Sequence, residues 1–180
     1  VYKLPDDVQA EAAGTSAISA GYRMIDTASV YKNEESVGRA IAKCGVPRKD
    51  LFITSKIWNT AQRLGDIQGA FSRSLERLKL SYVDLYLIHW PVPGCYLSTW
   101  KELESILESG RALSIGVSNF DIRHLEELRK ISGIIPAVNQ IECHPLCYPS
   151  ELIEYCRAFG IQVQAYAPLA RGAYLDNDVM

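Results

Sequence analysis

Six apolar runs of the chain each end at or beside a polar or aromatic residue of a type that is common in active sites. These residues are Asp26, Lys56, His89, Ser118, Asn119, Gln140 and Tyr166. Carboxylate, amine and imidazole groups can exchange protons, while amide and hydroxyl groups can both donate and accept hydrogen bonds. If the six runs deliver these groups to one place, the pattern predicts a functional site, because packing does not require so many polar or aromatic groups at one rim.

Each of these residues also has an ordinary structural interpretation when it is considered alone. Asp26 could cap a loop, and Lys56 could be a solvated charge at the rim of the fold. His89 could be a core histidine, Asn119 a turn residue and Tyr166 a core aromatic. All of these interpretations would have to hold together, so the joint pattern favours a functional site.

The apolar runs themselves are predicted to be β-strands. They cover residues 22–27, 51–56, 83–90, 112–118, 137–141 and 161–166. Several are apolar almost throughout, which is typical of strands that are covered on both faces in a parallel sheet. Their starts recur about every 24 to 32 residues, the length of one strand and one helix.

The segments between the strands have helical spacing. The clearest stripe consists of Ile67, Ala70, Phe71, Leu75 and Leu78. Alternating strands and helices fit either a doubly wound sheet or a (β/α)8 barrel. No Gly-x-Gly-x-x-Gly follows a strand, so the barrel is preferred. Active sites of such barrels lie where the strands end, which is where the polar residues stand.

Composition excludes several classes of protein. The 180 residues are 48% hydrophobic and 22% charged, with a net charge of −2. A nucleic-acid-binding protein normally carries a basic surplus, and no apolar run has the roughly 18 residues needed to cross a bilayer. We see no secretory leader. Five scattered cysteines, without ligand-pair spacing, favour reduced and mostly buried thiols over disulfides or a metal site. We therefore expect a cytoplasmic protein that binds neither nucleic acid nor membranes. A monomer is expected as well, although the composition does not indicate the oligomeric state.

The motifs around the strands resemble those of the aldo-keto reductases, a (β/α)8 family that uses nicotinamide cofactors. The first family signature is matched by "GYRMIDTASVYKNEESVGRAI". Later strands are matched, in order, by "LFITSKIW", "SYVDLYLIHWP", "ALSIGVSNF", "AVNQIECHP" and "VQAYAPL". The resemblance covers nearly the whole chain and is closest to the branch of diketogluconate reductases and protist prostaglandin F synthases.

This resemblance implies a catalytic set of Asp26, Tyr31, Lys56 and His89. Tyr31 would donate a proton to the carbonyl oxygen of an aldehyde or ketone substrate while NADPH supplies a hydride. Lys56 would lower the pKa of Tyr31, because a nearby ammonium favours the phenolate. Asp26 would hold Lys56 charged and oriented, and His89 would donate a hydrogen bond to the substrate oxygen.

The resemblance also implies the contacts of the cofactor and the substrate. Ser118, Asn119 and Gln140 would bind the carboxamide of the nicotinamide ring, and Tyr166 would stack on that ring. Just past strand ends, Trp58 and Trp90 would form an apolar wall of the substrate pocket, although rim packing explains them equally well. No metal is implied.

The chain departs from the family pattern near both ends. Residues 1–3 look like the tail of a first strand, and Met180 comes soon after the strand that ends in Tyr166. We therefore expect residues 1–180 to form one barrel domain that lacks part of its first strand and its last βα unit or units. The family usually grips the 2′-phosphate of NADPH in a later basic segment. Ala167 in place of the common serine, and the stretch "ARGAYL", leave the pyrophosphate contacts open.

Two other functions remain open at this stage. A metal-assisted barrel hydrolase could be built on Asp26, His89 and His144, but it would leave Tyr31 and Lys56 without a role. A barrel that binds the cofactor without catalysis would also share these motifs.

Overall fold

The computed structural model describes residues 1–5 and 8–173, and its centre is one sheet of six parallel strands. The strands are β1 (Met24–Asp26), β2 (Phe52–Ile57), β3 (Leu85–Ile88), β4 (Ile115–Ser118), β5 (Val138–Glu142) and β6 (Gln162–Tyr166). Each strand pairs with the next one along the chain, so the sheet order is the sequence order. All six carboxyl ends consequently open on the same side of the sheet.

Helices connect the strands across the outer face of this sheet. They are α1 (Val8–Ser19), α2 (Glu34–Lys43), α3 (Asn59–Leu64), α4 (Ile67–Leu78), α5 (Tyr96–Glu108), α6 (Ile122–Ile131) and α7 (Ser150–Ala158). The predicted stripe of α4 is buried along its whole length. None of the helices in the described part of the chain is both long enough and apolar enough to span a membrane.

Successive side chains of a strand point to opposite faces of the sheet, so that one face is apolar and the other carries polar groups. In β2, Ile53 and Ile57 are fully buried in the core between the sheet and the helices. Lys56, which lies between Ser55 and Ile57, points to the opposite face, where its ammonium meets Asp26 of β1. The sheet therefore packs its helices with aliphatic side chains and turns its titratable side chains inward.

The sheet is curled, so that its first and last strands approach each other. Nε2 of Gln164 in β6 donates a hydrogen bond to Sδ of Met24 in β1 across 3.1 Å. At Gly116 of β4, a Cβ atom would lie only 2.6 Å from the carbonyl oxygen of Val138, so a larger residue could not sit at this point of the curl. The predicted fold is confirmed: the described strands and helices form most of a (β/α)8 barrel.

The boundaries differ from prediction at several points. β1 and β3 are shorter than residues 22–27 and 83–90, so His89 and Trp90 lie just past the strand. Tyr2 and Lys3 lie in a turn rather than in the tail of a strand, and α1 was not predicted. Two residues of "ARGAYL", Tyr174 and Leu175, lie outside the described residues. That residues 1–180 form one domain stays a prediction.

The cysteines are unpaired, as predicted, but they are not mostly buried. All five thiols are free, and only Cys156 is buried. Cys147 is exposed, since it lies in the hairpin that follows β5, where His144 and Cys147 form a two-residue bridge. Short polar loops at strand ends do not bury their side chains as helices on the sheet do.

Candidate active site

One cavity of about 850 Å³ opens at the carboxyl ends of the strands, and nearly all the predicted site residues line it. The lining includes Asp26, Tyr31, Trp58, His89, Trp90, Ser118, Asn119, Gln140 and Tyr166. Lys56 lies directly beneath it, fully buried, and reaches the cavity residues through Asp26. Residues that are up to 140 positions apart in the chain thus meet at one mouth.

Lys56 and Asp26 form a buried ion pair at the floor of the site. The Lys56 side chain has no exposure, whereas that of Asp26 is 29% exposed. The ammonium contacts Oδ1 of Asp26 and also donates a hydrogen bond of 3.0 Å to the carbonyl oxygen of Thr27. Burial lowers the pKa of Lys56, and the charge of Asp26 opposes that shift. A lysine without this partner would be costly here.

Tyr31 stands over this pair at the end of a short helical turn, Ser29–Tyr31, that follows β1. The Ser29 hydroxyl donates a 3.1 Å hydrogen bond to the carbonyl of Lys56, which ties the turn to β2. Nζ of Lys56 lies 5.2 Å from the centre of the Tyr31 ring. The ammonium therefore faces the ring rather than pairing with the hydroxyl.

The electrostatic effect on Tyr31 differs from the one expected. Burial, followed by the negative charge of Asp26, raises the pKa of the Tyr31 phenol. The expected lowering of this pKa by Lys56 is not seen, because burial of the phenol has the largest effect and the charge of Lys56 is paired with Asp26 at close contact. Tyr31 is thus held in its protonated form at neutral pH, the form that can act as an acid.

His89 is held neutral by its surroundings. Burial, helped by the charge of Lys56, lowers the pKa of His89 to about 4. Its ring lies edge-on to those of Tyr31 and Trp58, at centroid distances of 5.6 and 5.1 Å. Nδ1 is buried without a hydrogen-bond partner among the described residues, which leaves Nε2 as the ring nitrogen that can reach the cavity.

A hydrogen-bonded group at the end of β4 faces the acid–base residues. Asn119 has a left-handed backbone, with φ of 62°, and directs its amide nitrogen to the carbonyl of His89 and to Oγ of Ser118, both at 3.0 Å. Oδ1 of Asn119 accepts the Tyr166 hydroxyl at 2.9 Å. Ser118 in turn donates to the carbonyl of Gln140 at 2.9 Å.

Gln140 links this group to the ion pair. Its Nε2 donates to Oδ2 of Asp26 and to Oε1 of Gln164, both at 2.8 Å. Both amide hydrogens of Gln140 are thereby used, and so are both of Asn119. The amide oxygens Oδ1 of Asn119 and Oε1 of Gln140 keep lone pairs for a ligand. Two such acceptors suit the –NH₂ of a carboxamide, and the Tyr166 ring supplies an aromatic face beside them.

The two predicted tryptophans occupy different positions at the mouth. Trp58 follows β2 and is partly buried against the His89 ring. Trp90 follows β3 and is 43% exposed. Both line the cavity, so an apolar wall can form on the side of Tyr31 and His89.

Four further lining residues with polar or charged side chains, Tyr2, Lys3, Gln164 and Arg171, were not predicted from the sequence. The Tyr2 ring lies 5.1 Å from that of Tyr31. A signal existed for Gln164: it stands two residues before Tyr166 in the same strand and so shares its face. Lys3 and Arg171 lie in segments without sequence periodicity, where no pattern points to a cavity.

The residues of the metal-hydrolase alternative are not assembled into a ligand cluster. Nε2 of His144 lies 3.3 Å from Oε1 of Glu142, and its Nδ1 accepts the Leu146 N–H at 3.2 Å. In residues 1–5 and 8–173, no group of three or more His, Cys, Asp or Glu side chains is arranged to hold a metal ion.

Known proteins provide an independent comparison. The model of the Aldo/keto reductase family matches residues 3–179. Over the whole chain, the sequence is 50% identical to glyoxal reductase of Bacillus subtilis (strain 168). Over 96% of the chain, it is 45% identical to 9,11-endoperoxide prostaglandin H2 reductase of Trypanosoma cruzi (strain CL Brener). The chain spans 65% of the length of the first relative and 61% of the second.

A solved structure agrees with this relationship. The crystal structure of a Bombyx mori aldo-keto reductase in complex with NADP superposes with a TM-score of 0.85 at 40% identity, over 92% of this chain and 59% of that one. The family match spans nearly all of the sequence, and it extends over all six strands and the cavity at their ends. The chain belongs to the aldo/keto reductase family.

Proposed function

We propose that this chain carries the active site of an NADPH-dependent reductase that converts aldehydes or ketones to alcohols. The observation that carries the proposal is that Asp26, Tyr31, Lys56 and His89 meet at one cavity with the amide oxygens of Asn119 and Gln140. NADP in the Bombyx mori relative and the reductase names of the two sequence relatives support the same chemistry.

In this proposal Ser118, Asn119, Gln140 and Tyr166 hold the nicotinamide end of the cofactor. Bound NADPH supplies the hydride that adds to the carbonyl carbon of the substrate. Asn119 and Gln140 receive the carboxamide hydrogens at Oδ1 and Oε1. Tyr166 stacks on the ring and orients the face that offers the hydride. Binding there places the reacting carbon next to Asp26, Tyr31 and His89, which line the same cavity.

Tyr31 donates its hydroxyl proton to the carbonyl oxygen, so the products are an alcohol, oxidised cofactor and a phenolate that solvent reprotonates. The raised pKa of Tyr31 keeps the proton available at neutral pH. Neutral His89 donates a hydrogen bond from Nε2 to the same oxygen. The Lys56 ammonium, 5.2 Å from the Tyr31 ring centre, is paired with Asp26, and this ion pair is the floor on which the Tyr31 ring is positioned. The contribution of Lys56 in this proposal is therefore to hold Asp26 and the Tyr31 ring in place.

The proposal includes a cytoplasmic monomer acting on small-molecule carbonyl compounds. The net charge of −2 gives the chain no overall basic surplus of the kind that is typical of nucleic-acid-binding proteins, and the five thiols are free, as is usual in the cytoplasm. The apolar surfaces of Trp58 and Trp90 at the mouth suit an aromatic or aliphatic carbonyl substrate.

The test is a turnover assay on the complete protein with NADPH and either glyoxal or an aromatic aldehyde. We expect NADPH to be consumed and an equal amount of alcohol to form. Tyr31→Phe is expected to stop turnover, and Tyr82→Phe is the matched control, because the Tyr82 ring packs on Arg48 far from the cavity. Binding of NADPH without turnover would instead support a catalytically silent cofactor-binding barrel.

A further inference from the structure

Gln164 is an unusual residue for the inside of this barrel. Positions that face a barrel interior are mostly filled by branched apolar side chains. Gln164 faces inward from β6 and is hydrogen-bonded at both ends of its amide. Its Oε1 accepts from Nε2 of Gln140 at 2.8 Å, and its Nε2 donates to Sδ of Met24 at 3.1 Å. A polar side chain here needs a reason beyond packing.

The reason lies in the amide of Gln140. Oδ2 of Asp26 can only accept a hydrogen bond, since Asp26 is ion-paired with Lys56. Nε2 of Gln140 must therefore face Asp26, and its second hydrogen needs another acceptor, which is Oε1 of Gln164. With both hydrogens used in this way, Oε1 is the polar atom of the Gln140 side chain that is left for a ligand, and Gln140 lines the cavity.

We propose that Gln164 is a positioning residue for the cofactor: by taking the second hydrogen of Gln140, it fixes Oε1 of Gln140 as an acceptor for the nicotinamide carboxamide. This inference rests on the proposed function, because it assigns that carboxamide to Gln140. Without Gln164, the Gln140 side chain is held only through Asp26 and can turn about that contact. A bound carboxamide then has to fix the conformation of the Gln140 side chain, which costs conformational entropy.

The expected effect is confined to the nicotinamide end of the ligand. Loss of one well-oriented neutral hydrogen bond corresponds to about five- to tenfold weaker binding. We therefore expect Gln164→Met, which keeps the length but lacks the amide, to weaken NADPH binding by about that factor. Binding of 2′-phospho-ADP-ribose, which has no nicotinamide ring, is expected to change by less than about twofold.

Fluorescence and calorimetric titrations of the complete protein give both dissociation constants. Gln162→Met is the matched control: it makes the same substitution in the same strand, at a side chain that is exposed and donates to the carbonyl of Val163. In a protein that already carries Gln140→Met, adding Gln164→Met is expected to leave the dissociation constant for NADPH almost unchanged, because Gln164 has lost its partner. If Gln164→Met does not fold, Gln164→Val, a typical barrel-interior residue, replaces it.

The outcomes separate the two proposals. Equal weakening of NADPH and 2′-phospho-ADP-ribose by Gln164→Met would show a general structural role and overturn the inference, as would unchanged affinity for both. An additive loss in the double variant would also overturn it. If the unaltered protein binds NADPH no more tightly than 2′-phospho-ADP-ribose, the nicotinamide ring makes no contribution to binding and the proposed function itself fails.

Discussion

Replacing Asp26 with asparagine tests the electrostatic core of the site, because it removes a charge while nearly preserving shape. The Lys56 side chain has no exposure, and within the described part of the chain its ammonium contacts the Asp26 carboxylate and the Thr27 carbonyl. In Asp26→Asn that ammonium has no compensating anion in a place that water does not reach. We expect Lys56 to release its proton in the folded variant rather than remain charged.

The free energy needed to deprotonate Lys56 sets the size of the expected decrease in the free energy of unfolding. A free lysine has a pKa of about 10.4, so deprotonation near pH 7.5 costs about 1.4 kcal/mol for each of roughly three pH units, or about 4 kcal/mol. This lies within the range of about 3–5 kcal/mol for breaking a buried ion pair by removing one partner. We therefore expect the free energy of unfolding of Asp26→Asn to be about 3–4 kcal/mol lower at neutral pH.

The same reasoning predicts a pH dependence. Below about pH 10 the unfolded variant binds one proton more than the folded variant, at Lys56, so its free energy of unfolding rises by about 1.4 kcal/mol per pH unit. In the unaltered protein, burial lowers the pKa of Lys56 but Asp26 opposes the shift, so the folded state keeps the proton over more of this range. The stability difference between the two proteins should shrink as the pH rises.

Urea unfolding at about pH 7, 8 and 9 measures this difference. Asp66→Asn is the matched control, because Asp66 pairs with Arg73 at the surface, where the two side chains are 44% and 52% exposed. An exposed pair of this kind contributes about 0–1 kcal/mol. A loss below about 1 kcal/mol for Asp26→Asn, or a difference that does not change with pH, would refute the buried-pair argument.

Three further predictions follow from the surroundings of single residues. Tyr31→Phe should lower kcat by at least about 100-fold, the usual contribution of a general acid, while a fluorescence titration shows a nearly unchanged Kd for NADPH. Burial of His89 lowers its pKa to about 4. Since the unfolded state takes up a proton near pH 6.5, the free energy of unfolding should fall by up to about 3 kcal/mol between pH 6.5 and 4, and His89→Gln should remove this slope. Glu34 is fully buried and accepts two hydrogen bonds from Arg77, at 2.8 and 2.6 Å. Urea unfolding should show a loss of about 3 kcal/mol for Glu34→Ala but little change for the exposed neighbour Glu35→Ala.

The strands could be predicted because each is an apolar run with the length of a buried strand, and α4 because large aliphatic residues recur on one face. The same pattern of large aliphatic residues on one face is missing from α1, so this helix was not predicted. Its buried residues are Ala10, Gly14 and Ile18, and two of these three are too small to give a visible stripe. Gly14 is nevertheless needed, since a Cβ there would lie 2.9 Å from that of Ala40 in α2. Close helix packing by small residues leaves almost no periodic signal.

The site residues were predictable where they end a strand. Buried polar residues away from the site were missed where their burial depends on a distant partner. Glu34 lies in a polar stretch that is typical of an exposed first turn, yet it is buried and accepts hydrogen bonds from Ser55 and Arg77. The pKa shift of Tyr31 was predicted with the wrong direction for a related reason. The family resemblance implied a lysine near Tyr31, but only the structure shows that the phenol is buried and that Asp26 is paired with this lysine.

Asp26 joins the two halves of the site because its two oxygens serve different partners. Oδ1 contacts the ammonium of Lys56, beneath Tyr31, and Oδ2 accepts Nε2 of Gln140, a residue that lines the cavity. Hydrogen bonds that are linked in a chain polarise one another when their surroundings have a low dielectric constant. The Gln140 side chain is therefore the direct connection between the proposed carboxamide site and the ion pair beneath Tyr31.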